Sequence, residues 1–317
     1  MNLNGDDKIC IKTFRKIRKV FNLAQILSLD IIIVNMKLFK LTRKQIIRRV
    51  VIFAVLIALI GPGLYNKLKI VNYTLESDKI DTPVRIALVT DLHSCRYGDH
   101  ESELIEAIDS QDPDLILLGG DIFDDKLPND NTVDFLEGIV GRYPIYYVTG
   151  NHEFWGGVDQ YEVQMDILEE YDIPRLQGDV LELDINGNTI GLVGVDDYDG
   201  YLVDEDLILE NEFVDAYLNL NADTYNIILS HRPEYIDTYA AHNYDLALCG
   251  HAHGGQWRIP GLLNGLYAPN QGMFPKYAGG LYVVDNTTMI VSRGLAREST
   301  RLPRLYNRPE LVIIDIT

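Results

Sequence analysis

Five short segments end in residues that bind metals: Asp91-Leu92-His93, Gly120-Asp121-Ile122-Phe123-Asp124, Gly150-Asn151-His152-Glu153, Ser230-His231 and Gly250-His251-Ala252-His253. Each closes a run of apolar and β-branched residues. Open α/β sheets place their chemistry at the carboxyl ends of their strands. Asp, Asn and His delivered there from five strands can hold two divalent ions side by side. Such a pair, about 3.5–4 Å apart, suits in-line displacement at phosphorus. Asp91 and His93, two residues apart on an extended segment, are expected to face one ion together. Asp121 follows Gly119-Gly120, where the missing Cβ lets the backbone come close, and its two oxygens can bridge two cations. Asn151 offers a neutral carbonyl oxygen, and His231, His251 and His253 offer ring nitrogens. This mixed N/O set suits Mn, Fe or Zn better than Ca and does not choose among the three.

Taken singly, each segment has an ordinary structural reading. Asp-x-His occurs widely, and Gly-Asn can mark a tight turn. Their conjunction carries the argument, because five of the chain's seven histidines fall inside them. The other two, His100 and His242, belong to no motif and are expected to be solvated or at helix ends.

The positioning elements follow from periodicity. Strands are expected at 84–90, 115–118 and 145–148, alternating with helices over 101–111, 131–140 and 158–171. That order implies a mostly parallel sheet. Asn186-Gly187 joins strands at 180–184 and 189–193 as a hairpin. Short strands at 226–229 and 245–248 flank a helix near 234–241, and strands at 282–284, 289–291 and 311–316 close the chain. The second half reads as more antiparallel. The expected fold is α/β (α+β), a four-layer αββα sandwich of two mixed sheets flanked by helices and preceded by an N-terminal hydrophobic segment.

In this order the motifs resemble the signature of the calcineurin-like metallophosphoesterases, over roughly residues 83–317. Gly250-His-Ala-His-Gly-Gly-Gln256, Tyr267-Ala-Pro, Gln271-Gly272, Phe274-Pro-Lys-Tyr277, Ser292-Arg-Gly294 and Asn307-Arg-Pro-Glu310 are similar to the YkuE-type bacterial branch. Ala252 departs from that branch, where Thr is more common. The resemblance implies one ion held by Asp91, His93, Asp121 and His253, and a second by Asp121, Asn151, His231 and His251. Asp121 would bridge them. A hydroxide activated by both ions would attack phosphorus. His152 would be catalytic without being a ligand, stabilising developing charge or protonating the leaving oxygen. Asp124 and Glu153 would orient His152 or another imidazole.

Size and charge bound the remaining possibilities. The chain has 317 residues, 47% of them hydrophobic, and a net charge of −19. Residues 1–65 hold 12 Lys+Arg against 3 Asp+Glu, which leaves 16 basic and 44 acidic residues for the rest. So acidic a body repels nucleic-acid backbones, and no nucleic-acid partner is expected. Cys10, Cys95 and Cys249 form no disulfide or zinc-knuckle pattern, and Cys95 and Cys249 read as small buried thiols.

The N-terminal region 1–49 is basic. Residues 50–65 form an apolar run, read as a transmembrane anchor or signal segment. The metallophosphoesterase domain is set at 83–317. The basic flank predicts N-in orientation at the cytoplasmic membrane, with the catalytic domain on the outer side. Arg48-Arg49 also allows export by the twin-arginine route. Met36 opens an ordinary leader, so residues 1–35 read as an upstream extension. The loop-rich stretch 257–277 is apolar with two cations, and reads either as a packed Ω-like loop supporting the site or as a wall for a lipid-like or aromatic leaving group, with Arg258 and Lys276 assigned to substrate phosphate. A lipid or cell-envelope phosphoester is one expected substrate. The favoured activity is phosphodiesterase; phosphomonoesterase or pyrophosphatase at the same site, and a non-catalytic metal-binding scaffold, are the alternatives. Oligomeric state is not legible.

Overall fold

The computed structural model describes residues 42–203, 216, 220–242, 244–300 and 302–317. Cys10, Met36 and the proposed 1–35 extension lie outside these residues. The chain divides into two compact units, Met1–Gly61 and Pro62–Thr317.

In the first unit, helix α1 spans Arg43–Ile60. Thr42 caps it: its hydroxyl accepts from Gln45 N, and its own N–H donates to Gln45 Oε1 at 2.9 Å. This reciprocal box satisfies two orphan donors of the first turn. The apolar run alone fell short of a bilayer-spanning length. The helix makes up the difference by starting at the basic residues, and the segment Arg43–Leu64 is long and apolar enough to cross a membrane.

The second unit is built on two sheets. The first has the order β1-β13-β2-β3-β4, comprising Lys69–Leu75, Glu310–Ile316, Val84–Val89, Leu115–Gly119 and Ile145–Val148. The second has the order β11-β12-β8-β7-β6-β5, comprising Gly280–Val284, Thr287–Val291, Leu246–Cys249, Tyr225–Leu229, Asn188–Gly194 and Val180–Ile185; β9 (Tyr267–Ala268) and β10 (Gly272–Met273) pair separately as a short ribbon. Alternation sorts the side chains of each strand. Ile86 and Leu88 join Leu117, Ile227, Leu229 and Leu248 in a core between the sheets. Ala87 and Val89 face the other way, against α2 (Ser102–Asp109), α3 (Asp130–Ile139) and α5 (Val158–Glu170) through Leu104, Ile108, Phe135 and Leu168. The outer face of the second sheet packs Ile228, Ala247 and Met289 on Ile236 and Tyr239 of α6 (Ile236–Ala241). The layers are therefore αββα, as expected. Strands covered on both faces read as continuous apolar runs, which is why they were visible.

Two features differ from expectation. The centre of the second sheet is parallel (β6, β7, β8 and β12), and only its edges β5 and β11 run antiparallel. The hairpins at both edges dominate the sequence pattern, but the interior is formed by crossovers. Strand β1 was not anticipated. It pairs with β13 in parallel at the edge of the first sheet, and its alternate exposure gave only a weak apolar signal.

Candidate metal centre

The five motifs follow the carboxyl ends of β2, β3, β4, β7 and β8, three in one sheet and two in the other. Their side chains converge into two donor groups that share one residue. Asp91, His93, Asp121 and His253 form the first, and Asp121, His231 and His251 form the second; donor atoms within each lie within 4.8 Å of one another. Asp121 Oδ2 is 3.4 Å from His93 Nε2 and 3.2 Å from His231 Nε2. Asn151 opens α4 (Asn151–Trp155) and is buried beside them.

Asp91 and His93 do not share a pleat face, as the extended reading had it. Both lie beyond β2 in left-handed backbone, φ 50° and 49°. Asp121, His251 and His253 also have positive φ, at 52°, 65° and 46°. Non-glycine residues adopt this conformation at a cost and keep it where surrounding structure demands it. Here the demand comes from close backbone approaches. Asp91 N–H donates to Gly120 O at 3.0 Å, and His93 N–H to Asp121 O at 2.9 Å. Gly120, at φ +84°, leaves room for the ring of His231; a Cβ there would stand 2.6 Å from its Nδ1. Gly294, at φ +68°, likewise makes way for the Asp91 carboxylate.

Three of the imidazoles, His231, His93 and His251, are held by one ring nitrogen. His231 Nδ1 is 2.9 Å from Gly119 O, and His93 Nδ1 is 3.0 Å from Asp124 Oδ1. Asp124 thus serves His93 first. The ring of His152 instead meets Asp125, with Nδ1 2.7 Å from Asp125 Oδ1 and 3.3 Å from Asp124 Oδ1. Asp125 was missed because it lies one residue outside the motif and resembles a loop carboxylate. Glu153, expected to hold an imidazole, clamps backbone. It accepts from the N–H groups of Asp121 (3.0 Å), Phe123 (3.0 Å) and Gly150 (2.7 Å). That fixes the turn carrying Asp121 against the start of α4. Asn270, also unforeseen, places its Oδ1 3.0 Å from His251 Nε2. Asn307 Nδ2 donates to His253 O at 2.7 Å.

Arg258 and Lys276 belong to other contacts. Arg258 Nε donates to Asn264 O at 3.0 Å, and the Lys276 ammonium sits 4.7 Å over the Tyr277 ring. Neither bond reaches the donors around Asp121. His100 is exposed and His242 caps α6, and Cys95 and Cys249 are buried free thiols.

The donor set fits a pair of cations. Asp91 Oδ2, His93 Nε2, Asp121 Oδ2, Asn151 Oδ1, His231 Nε2 and His253 Nδ1 are buried with no hydrogen-bond partner among the described residues. Buried polar atoms are ordinarily satisfied, and six orphans aimed at one small volume call for a ligand. The field agrees. Burial opposes charge on His231, yet Asp121 and Asp91 raise it to about 10. Burial likewise opposes charge on His152, and Asp121, Asp124 and Asp125 raise it to about 9. The carboxylates therefore attract positive charge strongly. His251 runs the other way, lowered to about 4 by burial and by the neighbouring His231 and Arg232.

The family model of the calcineurin-like phosphoesterases matches residues 84–255. The chain belongs to this family of phosphoester hydrolases, which use a dinuclear divalent metal centre. Among relatives, protein YpbG of Bacillus subtilis is 27% identical over 79% of this chain and 88% of its own length. Phosphodiesterase YaeI of Escherichia coli is 28% identical over 74% of this chain and 82% of its own. Metallophosphoesterase YkuE of Bacillus subtilis is 28% identical over 73% and 78%. The chain spans just under two thirds of the length of several other curated relatives it matches.

Proposed function

We propose that this chain is a membrane-anchored di-metal phosphodiesterase. The observation that carries the reading is the buried Asp121 carboxylate, shared between two donor groups whose free atoms all face it. Asp91, His93, Asp121 and His253 would hold one ion, and Asp121, Asn151, His231 and His251 the other. Two ions held this way supply Lewis acidity at a phosphoryl oxygen and lower the pKa of a water.

The chain's own residues do the rest. Asp121 Oδ1 accepts the N–H of His152 at 2.8 Å, so the turn that carries the shared carboxylate also sets His152. Asp125 holds Nδ1 of that ring and leaves Nε2 for substrate. A protonated imidazole there can stabilise charge developing on the phosphoryl group or give its proton to the leaving oxygen. The half-exposed ring of Trp155 lies 4.5 Å from His152 and offers an apolar seat for the organic part of a diester. Trp155 is itself fixed by a bond from Nε1 to Asp199 Oδ2 at 2.7 Å. The relative YaeI is a phosphodiesterase by name, which supports the diester over the monoester.

The apolar helix that begins at Arg43 is read as the anchor, entering the bilayer after Arg49, with 1–49 as its basic cytoplasmic flank and the catalytic domain on the outer side. A lipid or cell-envelope phosphodiester is then the substrate class within reach.

The test uses the full chain in detergent micelles, stripped with a chelator and reloaded with Mn²⁺. Bis(p-nitrophenyl) phosphate should be cleaved faster than p-nitrophenyl phosphate, and Asp121→Ala should abolish both. Faster monoester cleavage would replace the diesterase reading by a phosphatase. Two bound metals with neither substrate cleaved would favour a narrow envelope substrate or a scaffold.

A further inference from the structure

Three segments of the catalytic unit are hydrogen-bonded into one surface. Tyr306 N–H donates to Gly63 O at 2.6 Å, and Arg308 lies 4.8 Å over the ring of Tyr65 while its Nε donates to Lys67 O. Leu305 pairs with Trp257 as a parallel bridge. Trp257 Nε1 donates to Pro303 O at 2.9 Å, and Gln256 Nε2 donates to Leu302 O. Ile259 pairs with Leu263, and this tight turn carries Leu262 at its tip.

The exposed side chains of this surface are Leu64, Tyr65, Trp257, Ile259, Leu262 and Leu302, with Leu262 81% exposed. Six large apolar groups held by backbone bonds on neighbouring loops form a patch of the kind that marks an interaction site. Arg304 keeps the scaffold beneath it rigid, donating to Ala296 O and Arg293 O at 2.8 and 2.6 Å.

Charge selects the occupant. The unit as a whole is strongly acidic, yet residues 62–75, 246–284 and 302–309 contain no Asp or Glu. Their basic residues include Lys67, which is exposed, and Arg258 and Arg308, which are partly exposed. An apolar tip on segments that carry cations and no carboxylates fits the headgroup region of an anionic bilayer, where Trp and Tyr are favoured and Lys and Arg meet phosphate. Chain length argues the same way. Leu64 lies four residues after Ile60, the end of α1, and that much chain spans at most about 14 Å. A bilayer that takes α1 is therefore within reach of Leu64.

We infer that this face, led by Trp257, Ile259 and Leu262, lies in the surface of the membrane. The inference rests on the anchor reading above. It has a consequence for the centre, because Trp257 follows His253 by four residues and Asn307, buried in the segment behind this surface, holds the His253 carbonyl. The loop that delivers a metal donor is thus also the loop seated on lipid. Substrate would then enter from the plane of the bilayer.

The full chain would be placed in nanodiscs of phosphatidylglycerol and phosphatidylcholine, with and without lipid brominated near the headgroup. The chain has two tryptophans, so subtracting the emission of Trp257→Phe isolates Trp257. Its emission should fall in brominated discs, and Ile259→Asp with Leu262→Asp should restore it while the chain still resists carbonate extraction. Unquenched Trp257 in a carbonate-resistant chain would overturn the inference alone and leave the face to a protein partner. Extraction of the wild-type chain by carbonate would overturn the anchor reading and this inference with it.

Discussion

Asp125 and Asp124 are adjacent carboxylates that serve different imidazoles. Asp124 Oδ1 stands 3.0 Å from His93, while Asp125 Oδ1 stands 2.7 Å from His152. A carboxylate behind an imidazole fixes its tautomer and raises its basicity, and such partners typically matter by about 10–100-fold. Asp125→Asn should therefore lower kcat for the diester by about 10–100-fold and leave KM near its original value. Asp125→Glu should recover part of the loss. The pH profile of kcat separates this role from a structural one, because losing the charge behind His152 should move the limb that reports it to lower pH. If both kcat and bound metal fall together, Asp125 supports the centre as a whole and not His152.

At the scale of elements, the turn into α2 carries a second buried carboxyl, remote from the metal donors. Glu101 sits in left-handed backbone at φ 56° and is fully buried. Burial pushes its carboxyl up from 4.5 to about 7, against the pull of the Tyr97 N–H that donates to Oε1 at 2.8 Å. A carboxyl raised in the folded state contributes stability that is complete below its unfolded pKa, near 4.5. That contribution is lost as pH rises through about 7. Glu101→Gln keeps the acceptor for Tyr97 and cannot ionise. Thermal midpoints measured from about pH 5 to 8 should fall for the wild type and stay flatter for Glu101→Gln. Parallel curves would show that Glu101 remains ionised or escapes burial. The β3 and β4 ends show the same dependence on element placement. Glu153 takes three N–H groups from two turns, so the donors of one sheet are locked together before any ion binds.

Considered as a whole molecule, the catalytic unit brings the carboxyl ends of strands from two packed sheets together, and that end is left with uncompensated buried metal-ligating atoms. Ions that bind only the folded state stabilise it by mass action, about 2.7 kcal/mol per site at a hundred times Kd. For a domain of about 150–250 residues, each kcal/mol moves the midpoint by about 2–4 °C. Mn²⁺ should raise the thermal midpoint by several degrees, a chelator should remove the gain, and Asp121→Ala should show little response to either. An unchanged midpoint in the wild type would argue that the orphaned atoms are satisfied by water alone.

The sequence by itself determined the layers and the donors. Strands buried on both faces must be apolar throughout, so β2, β3, β4, β7 and β8 announced themselves. A polar Asp, Asn or His directly after such a run has few other reasons to be there. Residues 84–255 consequently carried the family. Pairing direction in the second sheet was not legible, because a short apolar run looks the same in either direction. Strand β1 was hidden by its half-exposed edge position. Only the tertiary structure separated Asp125 from Asp124, turned Glu153 from an imidazole to three backbone N–H groups, and moved Arg258 and Lys276 to contacts away from the centre. Those outcomes depend on angles of a few tightly bent residues, such as Asp91 and Asp121 in left-handed backbone, and on segments far apart in the chain. Local sequence fixes which groups are available, whereas distance between carboxylate and ring is set by how the two sheets meet.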